Sequence, residues 1–217
     1  MGGGIVNRMS DDAVTPDPAA PLSGAVVPLP DAAATPPGRA APVALSPGWD
    51  GDDRPPIPRR AGEKESLVAY LEHYRRTLEM KTEGLTAEQL SMRSVPPSTM
   101  SLHGLLRHLA GVERWWFQLN FRGEDVPMLY YTDEEPDLDF EFPAADDPAD
   151  AVAAWHRECE VSRRIVDEAS LDDLGSPVVP GEDFTLRWLL LRMIAEYAQH
   201  CGHADLLRER IDGRTGA

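Results

Sequence analysis

The sequence predicts an all-α protein, a four-helix bundle that follows an N-terminal tail rich in proline and glycine. Two observations support this. Over four long segments after residue 62, apolar residues recur every three or four positions, the spacing of a buried helix face, and no strand pattern interrupts them. Residues 1–62 instead contain 12 of the 20 prolines and 8 of the 17 glycines. We therefore expect a disordered tail over 1–62 and one helical domain over 63–213.

The first two long helices are predicted on either side of a short capped turn. The first covers about residues 63–83, and its apolar residues recur every three or four positions, which places them on one buried face. Thr86 and Gln89 have the spacing of a capping box, which opens a short helix. The second long helix covers about residues 102–121, and Ser101 is one of the residues that could cap its N-terminus.

The last two helices follow a long acidic connection. Residues 124–150 contain 11 acidic residues and no basic one, and we interpret them as an irregular, solvated loop. Its aromatic residues could attach it to the bundle: Tyr130, Tyr131, Phe140 and Phe142. Asp147 and Pro148 begin the third helix, to about residue 169. The fourth follows the cap Thr185 and extends to about residue 211.

The overall charge excludes some classes of partner. The formal net charge is −16, so the surface repels phosphate backbones and anionic lipids, and we expect no nucleic-acid or membrane partner. The first residues, MGGGIVNRMS, lack the apolar core of a signal peptide, and Met9 is an alternative start. Two cysteines do not indicate a disulfide framework. We expect a cytoplasmic protein.

The last predicted helix has chemically reactive residues within an apolar stripe. The stripe comprises Leu189, Met193, Glu196, His200, His203 and Leu207. A buried carboxylate and buried imidazoles need partners, because leaving them unpaired costs several kcal/mol or shifts their pKa values. Glu196 and His200, one turn apart, can converge on a divalent metal ion. Taken alone, such a pair is also common as an exposed hydrogen-bonded pair.

A third ligand is predicted from the second long helix. His108 lies close to the centre of that helix's apolar face. Gly104 and Gly111 flank it without side chains, which either leaves space for a substrate above the imidazole or allows close packing of helices. His203 could also ligate, but more often such a histidine holds a ligand or donates into a pocket. The remaining histidines are interpreted as surface or packing residues: His73, His103 and His156.

Two segments of the sequence resemble a known family. SLHGLLRHLAGVERWWF (101–117) and EYAQHCGHADLLRERIDG (196–213) are similar to the DinB/YfiT-like superfamily of metal-binding four-helix bundles. They look most like its actinobacterial branch, which includes relatives of mycothiol-dependent maleylpyruvate isomerase. The resemblance covers roughly residues 63–213.

The resemblance implies an up-down-down-up bundle, often dimeric, with zinc or another divalent ion held by His108, Glu196 and His200. It also implies transfer of mycothiol or a similar low-molecular-weight thiol to an electrophilic substrate. An open position on the metal would favour the thiolate, which attacks the electrophile. His203 would orient a ligand or shuttle a proton.

Two other classes of function stay open at this stage. Two histidines and one carboxylate also form the facial triad of non-haem iron oxygenases, which bind dioxygen. A metal-stabilised binding or stress protein without turnover would have the same residues. Metal analysis distinguishes the oxygenase, and thiol consumption with electrophiles distinguishes the binding protein.

Overall fold

The computed structural model describes residues 52–132, 135, 138–142 and 146–215, and this part is all-α as the sequence predicts. Its helices are α1 (Glu63–Thr82), α2 (Ala87–Leu90), α3 (Leu102–Glu113), α4 (Pro148–Glu168) and α5 (Leu186–Asp212). Apart from an isolated β-bridge between Leu174 and Thr185, the described residues contain no strand. None of their helices is long and apolar enough to cross a membrane.

The helix starts are where the capping residues predict them. Thr86 accepts a hydrogen bond from the backbone N–H of Gln89, and the Gln89 side chain accepts one from the backbone N–H of Thr86. Ser101 caps α3 and Thr185 caps α5 by the same kind of side-chain acceptance. Asp147 caps α4, with Pro148 in the first turn. These contacts satisfy backbone donors that a helix start leaves unpaired.

The second long helix has the predicted extent but changes its geometry midway. After Glu113 the chain continues without a break as a π-helical segment, Arg114–Arg122, which ends at Gly123 in the left-handed conformation. The side chain of Asn120 donates to the carbonyl of Trp115, five residues before it. A π turn adds one residue to each hydrogen-bonded ring. Apolar spacing analysed with a fixed 3.6-residue turn does not detect this change.

Helices α1 and α5 are parallel neighbours. Glu63 at the start of α1 pairs with Arg187 at the start of α5, with Oε1–Nε 2.7 Å. Near the other end, Arg208 of α5 donates to the backbone carbonyls of Lys81 and Glu83 at 3.0 and 2.8 Å. The start of α1 therefore lies beside the start of α5, and the end of α1 lies near the end of α5.

Helices α3 and α4 form the second parallel pair. Arg114 donates two hydrogen bonds to Glu158, and further along Arg122 pairs with Glu168. From the first contact to the second, the residue number rises in both helices. The two helices therefore run in the same direction.

The two pairs run in opposite directions. Lys64 at the start of α1 donates to the carbonyl of Ala169 at the end of α4 at 2.7 Å. Trp116, beyond the end of α3, contacts Trp188 at the start of α5, with ring centroids 5.5 Å apart. These contacts confirm the up-down-down-up order that the family resemblance implies.

The core lies between the four long helices, and leucine is its most frequent residue. The fully buried leucines are Leu78, Leu102, Leu105, Leu106, Leu109, Leu186, Leu189 and Leu190. An ion pair also lies inside this core, because the side chains of Arg75 and Glu113 are 3% and 0% exposed. The spacing of residues along the sequence does not predict that pair.

Most of the predicted N-terminal tail, residues 1–51, lies outside the described residues. The described end, 52–62, contacts α1. Asp53 accepts two hydrogen bonds of 2.8 Å from Arg76, and the carbonyl of Pro55 lies 3.1 Å from Nδ1 of His73. These contacts are exposed to solvent, which screens an ion pair and weakens its contribution to stability.

Candidate metal centre

Three side chains predicted as metal ligands come together between α3 and α5. His108, Glu196 and His200 each offer one ligand atom, and these atoms lie within 4.8 Å of one another. Nε2 of each imidazole lies 3.2 Å from Oε1 of Glu196. The side chains are 22%, 10% and 10% exposed, respectively. Two nitrogens and one oxygen therefore face one small, largely buried space.

The helices place these residues by simple spacing. Glu196 and His200 are one turn apart on α5, so their side chains project from the same face. Leu189 and Met193, on the same stripe, are fully buried, which turns this face towards α3. His108 meets it from α3, with its ring centroid 4.8 Å from that of His200.

The outer nitrogen of each imidazole also has a partner. Nδ1 of His108 lies 2.7 Å from Oδ2 of Asp139 in the acidic loop, and Nδ1 of His200 lies 3.3 Å from Nδ1 of His203. Metal-ligating histidines commonly hold the outer ring nitrogen in this way, which fixes the tautomer and presents Nε2 to the ion. The residues therefore fit a divalent cation, since imidazole and carboxylate are ligands of zinc and related metals.

The charges within the cluster depend strongly on one another. Burial raises the pKa of Glu196, but hydrogen bonds from His108, His200 and Arg192 outweigh it and hold that pKa well below its usual range. Burial lowers the pKa of His108, yet its bonds to Asp139 and Glu196 prevail and raise it to about 9. Without an ion, a proton on His108 thus supplies the positive charge that these carboxylates need.

His203 lies at the edge of the cluster. Burial, followed by the neighbouring His200, lowers its pKa. Its Nδ1 faces the outer nitrogen of His200, on the side opposite to the Nε2 that approaches Glu196. Two roles were expected for His203, orienting a ligand or shuttling a proton. Its position beside the outer nitrogen of His200 is compatible with the first.

The other three histidines are not part of the cluster. His103 is fully buried; its ring packs on Phe142, and Nδ1 lies 3.1 Å from the hydroxyl of Ser91. His73 contacts the backbone of Pro55, and His156 pairs with a glutamate of α1. Their positions agree with the interpretation as surface or packing residues.

The glycines beside His108 allow close packing of the acidic loop. A Cβ atom on Gly104 would lie 2.9 Å from Cδ1 of Phe140, and one on Gly111 would lie 3.2 Å from Cε1 of Tyr131. The room that these glycines leave is therefore filled by aromatic rings of the acidic loop. Neither expectation for these glycines holds: the space is not open to a substrate, and the nearest atoms belong to the loop rather than to a second helix.

Two residues of the site, Asp139 and Arg192, were not predicted from the sequence. Asp139 is only 5% exposed, so the interpretation of the acidic loop as a purely solvated connection is wrong at this residue. Nothing local distinguishes it from the ten other acidic residues of 124–150. Arg192, which pairs with Oε2 of Glu196, did carry a signal, because it precedes Glu196 by one helical turn.

Comparison with known proteins gives a match to one family model. A search of curated proteins finds no match to the chain. A family model described as mycothiol-S-transferase matches residues 66–213. The matched range lacks only the first three residues of α1, and it includes α2 to α5 and every residue of the cluster. The chain therefore belongs to the mycothiol-S-transferase family, within the DinB/YfiT-like metal-dependent superfamily.

Proposed function

We propose that this protein transfers mycothiol, or a chemically similar small thiol, to an electrophilic substrate at a divalent cation held by His108, Glu196 and His200. The observation that supports it most is the convergence of these three donors, each imidazole with its outer nitrogen already held. The family match supports the thiol as co-substrate. Zinc suits the donor set best, since imidazole and carboxylate are its usual ligands alongside cysteine.

Three protein ligands suit a catalytic site, because they leave a coordination position for another molecule. A cation held there supplies charge that favours the ionised form of a coordinated thiol at neutral pH. The protein's own contribution is to fix the donors. The two imidazoles and Glu196 are largely buried, so their geometry is set by the packing of α3 against α5.

The overall reaction balances without an oxidant or reductant. With an alkyl halide as electrophile, the thiol sulfur forms a bond to carbon, the carbon–halogen bond breaks, and halide leaves. The thiol proton passes to solvent or to a neighbouring base. In this proposal His203 is a positioning residue, because it contacts His200 rather than the space where the donors converge.

We also propose that the protein works in the reducing cytoplasm, and as a homodimer. The two cysteines of the chain, Cys159 and Cys201, are both buried and free. Burial is the main cause that raises the pKa of Cys201 to about 12, so this thiol stays protonated and unreactive at neutral pH.

The proposal of a homodimer rests on the family resemblance alone, and sedimentation analysis tests it.

The experiment uses full-length protein loaded with Co²⁺ in place of zinc. Addition of mycothiol should produce thiolate-to-cobalt charge-transfer bands, and a bimane-type alkyl bromide should then be consumed together with the thiol. Matched variants are Glu196→Ala, which should abolish both signals, and His156→Ala, which should leave both intact.

The other outcomes identify the other classes of function. Full cobalt occupancy without a charge-transfer band at millimolar thiol would overturn the transferase mechanism. Iron-dependent dioxygen uptake would instead indicate the oxygenase, and metal binding without any product would indicate a binding protein.

A further inference from the structure

One segment of the acidic loop, residues 138–142, is held against the metal site by hydrogen bonds and ring stacking. Asp139 is buried, and its two carboxylate oxygens have different partners. Oδ2 lies 2.7 Å from Nδ1 of His108, and Oδ1 accepts a hydrogen bond of 2.9 Å from the backbone N–H of Phe140. The ring of Phe140 stacks on the imidazole of His108, with centroids 5.2 Å apart. The loop therefore fixes this imidazole both at its edge and on its face.

Arg107 holds the same segment from α3. Its guanidinium donates to the backbone carbonyls of Leu138 and Asp139 at 2.8 and 3.2 Å, and to the Asp146 carboxylate at 2.7 Å. It also lies 4.2 Å from the centroid of the Tyr130 ring. Arg107 is 8% exposed, so these charge-assisted bonds form largely away from water.

Three positions in one turn of α3 therefore bind one stretch of loop. Gly104 provides the space that Phe140 occupies, Arg107 binds the backbone of Asp139, and His108 binds its carboxylate. None of the contacts from Arg107 reaches the metal ligands directly. Its influence on them can pass through the position of Asp139.

We infer that Asp139 is a positioning residue that sets the metal affinity through His108, and that Arg107 holds Asp139 in that position. The inference rests on the metal site of the proposed function, but not on the thiol chemistry. A carboxylate that accepts from Nδ1–H keeps the imidazole from rotating and leaves Nε2 as the nitrogen that faces the space where the three donors converge. Partners of this kind change metal affinity by about 10- to 100-fold.

The test is a double-mutant cycle on zinc affinity, measured by competition with a chromophoric chelator on full-length protein. Asp139→Ala should weaken zinc binding by about 10- to 100-fold, and Arg107→Met should weaken it by a smaller factor. If Arg107 acts through Asp139, the double variant binds zinc no more weakly than Asp139→Ala alone. Independent action predicts that the two factors multiply, which would overturn the role of Arg107.

Controls separate positioning from a general loss of structure. Glu141→Gln removes the same charge from an exposed residue of the same loop, and it should leave the affinity unchanged. Asp139→Asn retains an acceptor oxygen of the same size and should recover part of the loss. Helical circular dichroism of each metal-free variant shows whether it is folded.

The outcomes also separate this inference from the proposed function. Unchanged zinc affinity in folded Asp139→Ala protein would overturn the inference and leave the transferase proposal standing. An affinity that depends on Asp139, in a protein inert towards thiols, would overturn the transferase alone. Wild-type protein that binds no zinc would overturn both.

Discussion

Two buried carboxylates in this bundle have different partners. Glu113 of α3 is fully enclosed; it accepts hydrogen bonds of 2.8 and 2.6 Å from Arg75 and one of 2.7 Å from the Tyr197 hydroxyl. Glu196 of α5, beside Tyr197 in sequence, faces two imidazoles and the partly exposed Arg192. Both carboxylates pair with cationic side chains inside the same bundle.

The difference lies in what each partner can do. Burial works against the charge of Arg75, but the charge of Glu113 outweighs it and raises its pKa well above the usual value. A guanidinium has no lone pair to offer a metal, so Arg75 can pair with Glu113 but cannot join it in binding a cation. An imidazole can release its proton and bind a cation instead. The chemistry of the partner, rather than burial, therefore distinguishes a structural carboxylate from a ligand.

The largest effect is expected when the structural carboxylate is removed. Glu113→Ala leaves the buried Arg75 charge without its main partner and should lower the free energy of unfolding by about 3–5 kcal/mol. Urea denaturation of metal-free protein measures the loss. The double variant Arg75→Met/Glu113→Met should recover most of it, because no buried charge is left unpaired. A loss below about 1 kcal/mol in Glu113→Ala would contradict the structural role assigned to this pair.

Removal of the other carboxylate should act on the metal instead. Glu196→Ala should weaken zinc binding by about 100-fold or more, beyond the 10- to 100-fold typical of residues that only hold a ligand. His108→Ala and His200→Ala should do the same, and His73→Ala should not. Full zinc retention in Glu196→Ala protein would remove this residue from the ligand set.

The two regions should also differ in their response to pH. The pKa of His108 is raised from 6.5 to about 9, so its stabilising contribution is complete below pH 6.5 and is lost as the pH rises through 9. Metal-free protein should lose on the order of 2 kcal/mol over this range. Urea denaturation at several pH values measures it, and His108→Gln is the control that should abolish the dependence. The Arg75–Glu113 pair should add no slope, since arginine stays charged throughout.

A smaller effect is expected at the edge of the metal cluster. His203→Ala should leave zinc occupancy intact at saturating metal but slow thiol transfer by about 10-fold, because it contacts only the outer nitrogen of His200. Single-turnover assays with metal content measured in parallel test this. Loss of zinc at saturation would make His203 a ligand rather than a positioning residue.

The smallest effect is expected from a segment that belongs to neither region. Deletion of residues 1–51 should leave the melting temperature unchanged, because their composition offers no periodic apolar face. Deletion to residue 61 also removes the exposed Asp53–Arg76 pair and should lower the melting temperature only slightly, because solvent screens such a pair. Zinc affinity should be unchanged in both. A drop of many degrees in the shorter deletion would show that the N-terminal segment stabilises the bundle.

Local pattern was sufficient to predict much of this molecule. Capping residues marked the helix starts, and a carboxylate and a histidine within an apolar stripe indicated that Glu196 and His200 face the core. The position of His108 on its own apolar face then predicted their convergence. All of these inferences depend only on residues within a few turns of one helix.

What could not be predicted depends on pairing between distant segments. Arg75 follows Leu71 by one turn and Glu113 follows Leu109 by one turn, and nothing in this spacing indicates that the two residues pair with each other. Only the packing of α1 near α3 brings the two together. Asp139 is one of eleven acidic residues in its loop. Only the path of the loop in the folded protein shows that this residue, and not one of the others, contacts His108.

The parallel order of α3 and α4 has a further consequence. From Leu102 to Arg122 the chain advances roughly 30 Å along the bundle at the usual rise per residue. Since α4 begins again at the same end, the connection must travel that length back along the outside. Two antiparallel helices would have needed only a short turn. The helix order thus obliges a chain segment to pass over α3, and Asp139 lies on it. The side chain that holds the outer nitrogen of His108 therefore comes from a connection that the helix order makes necessary, and not from a neighbouring helix.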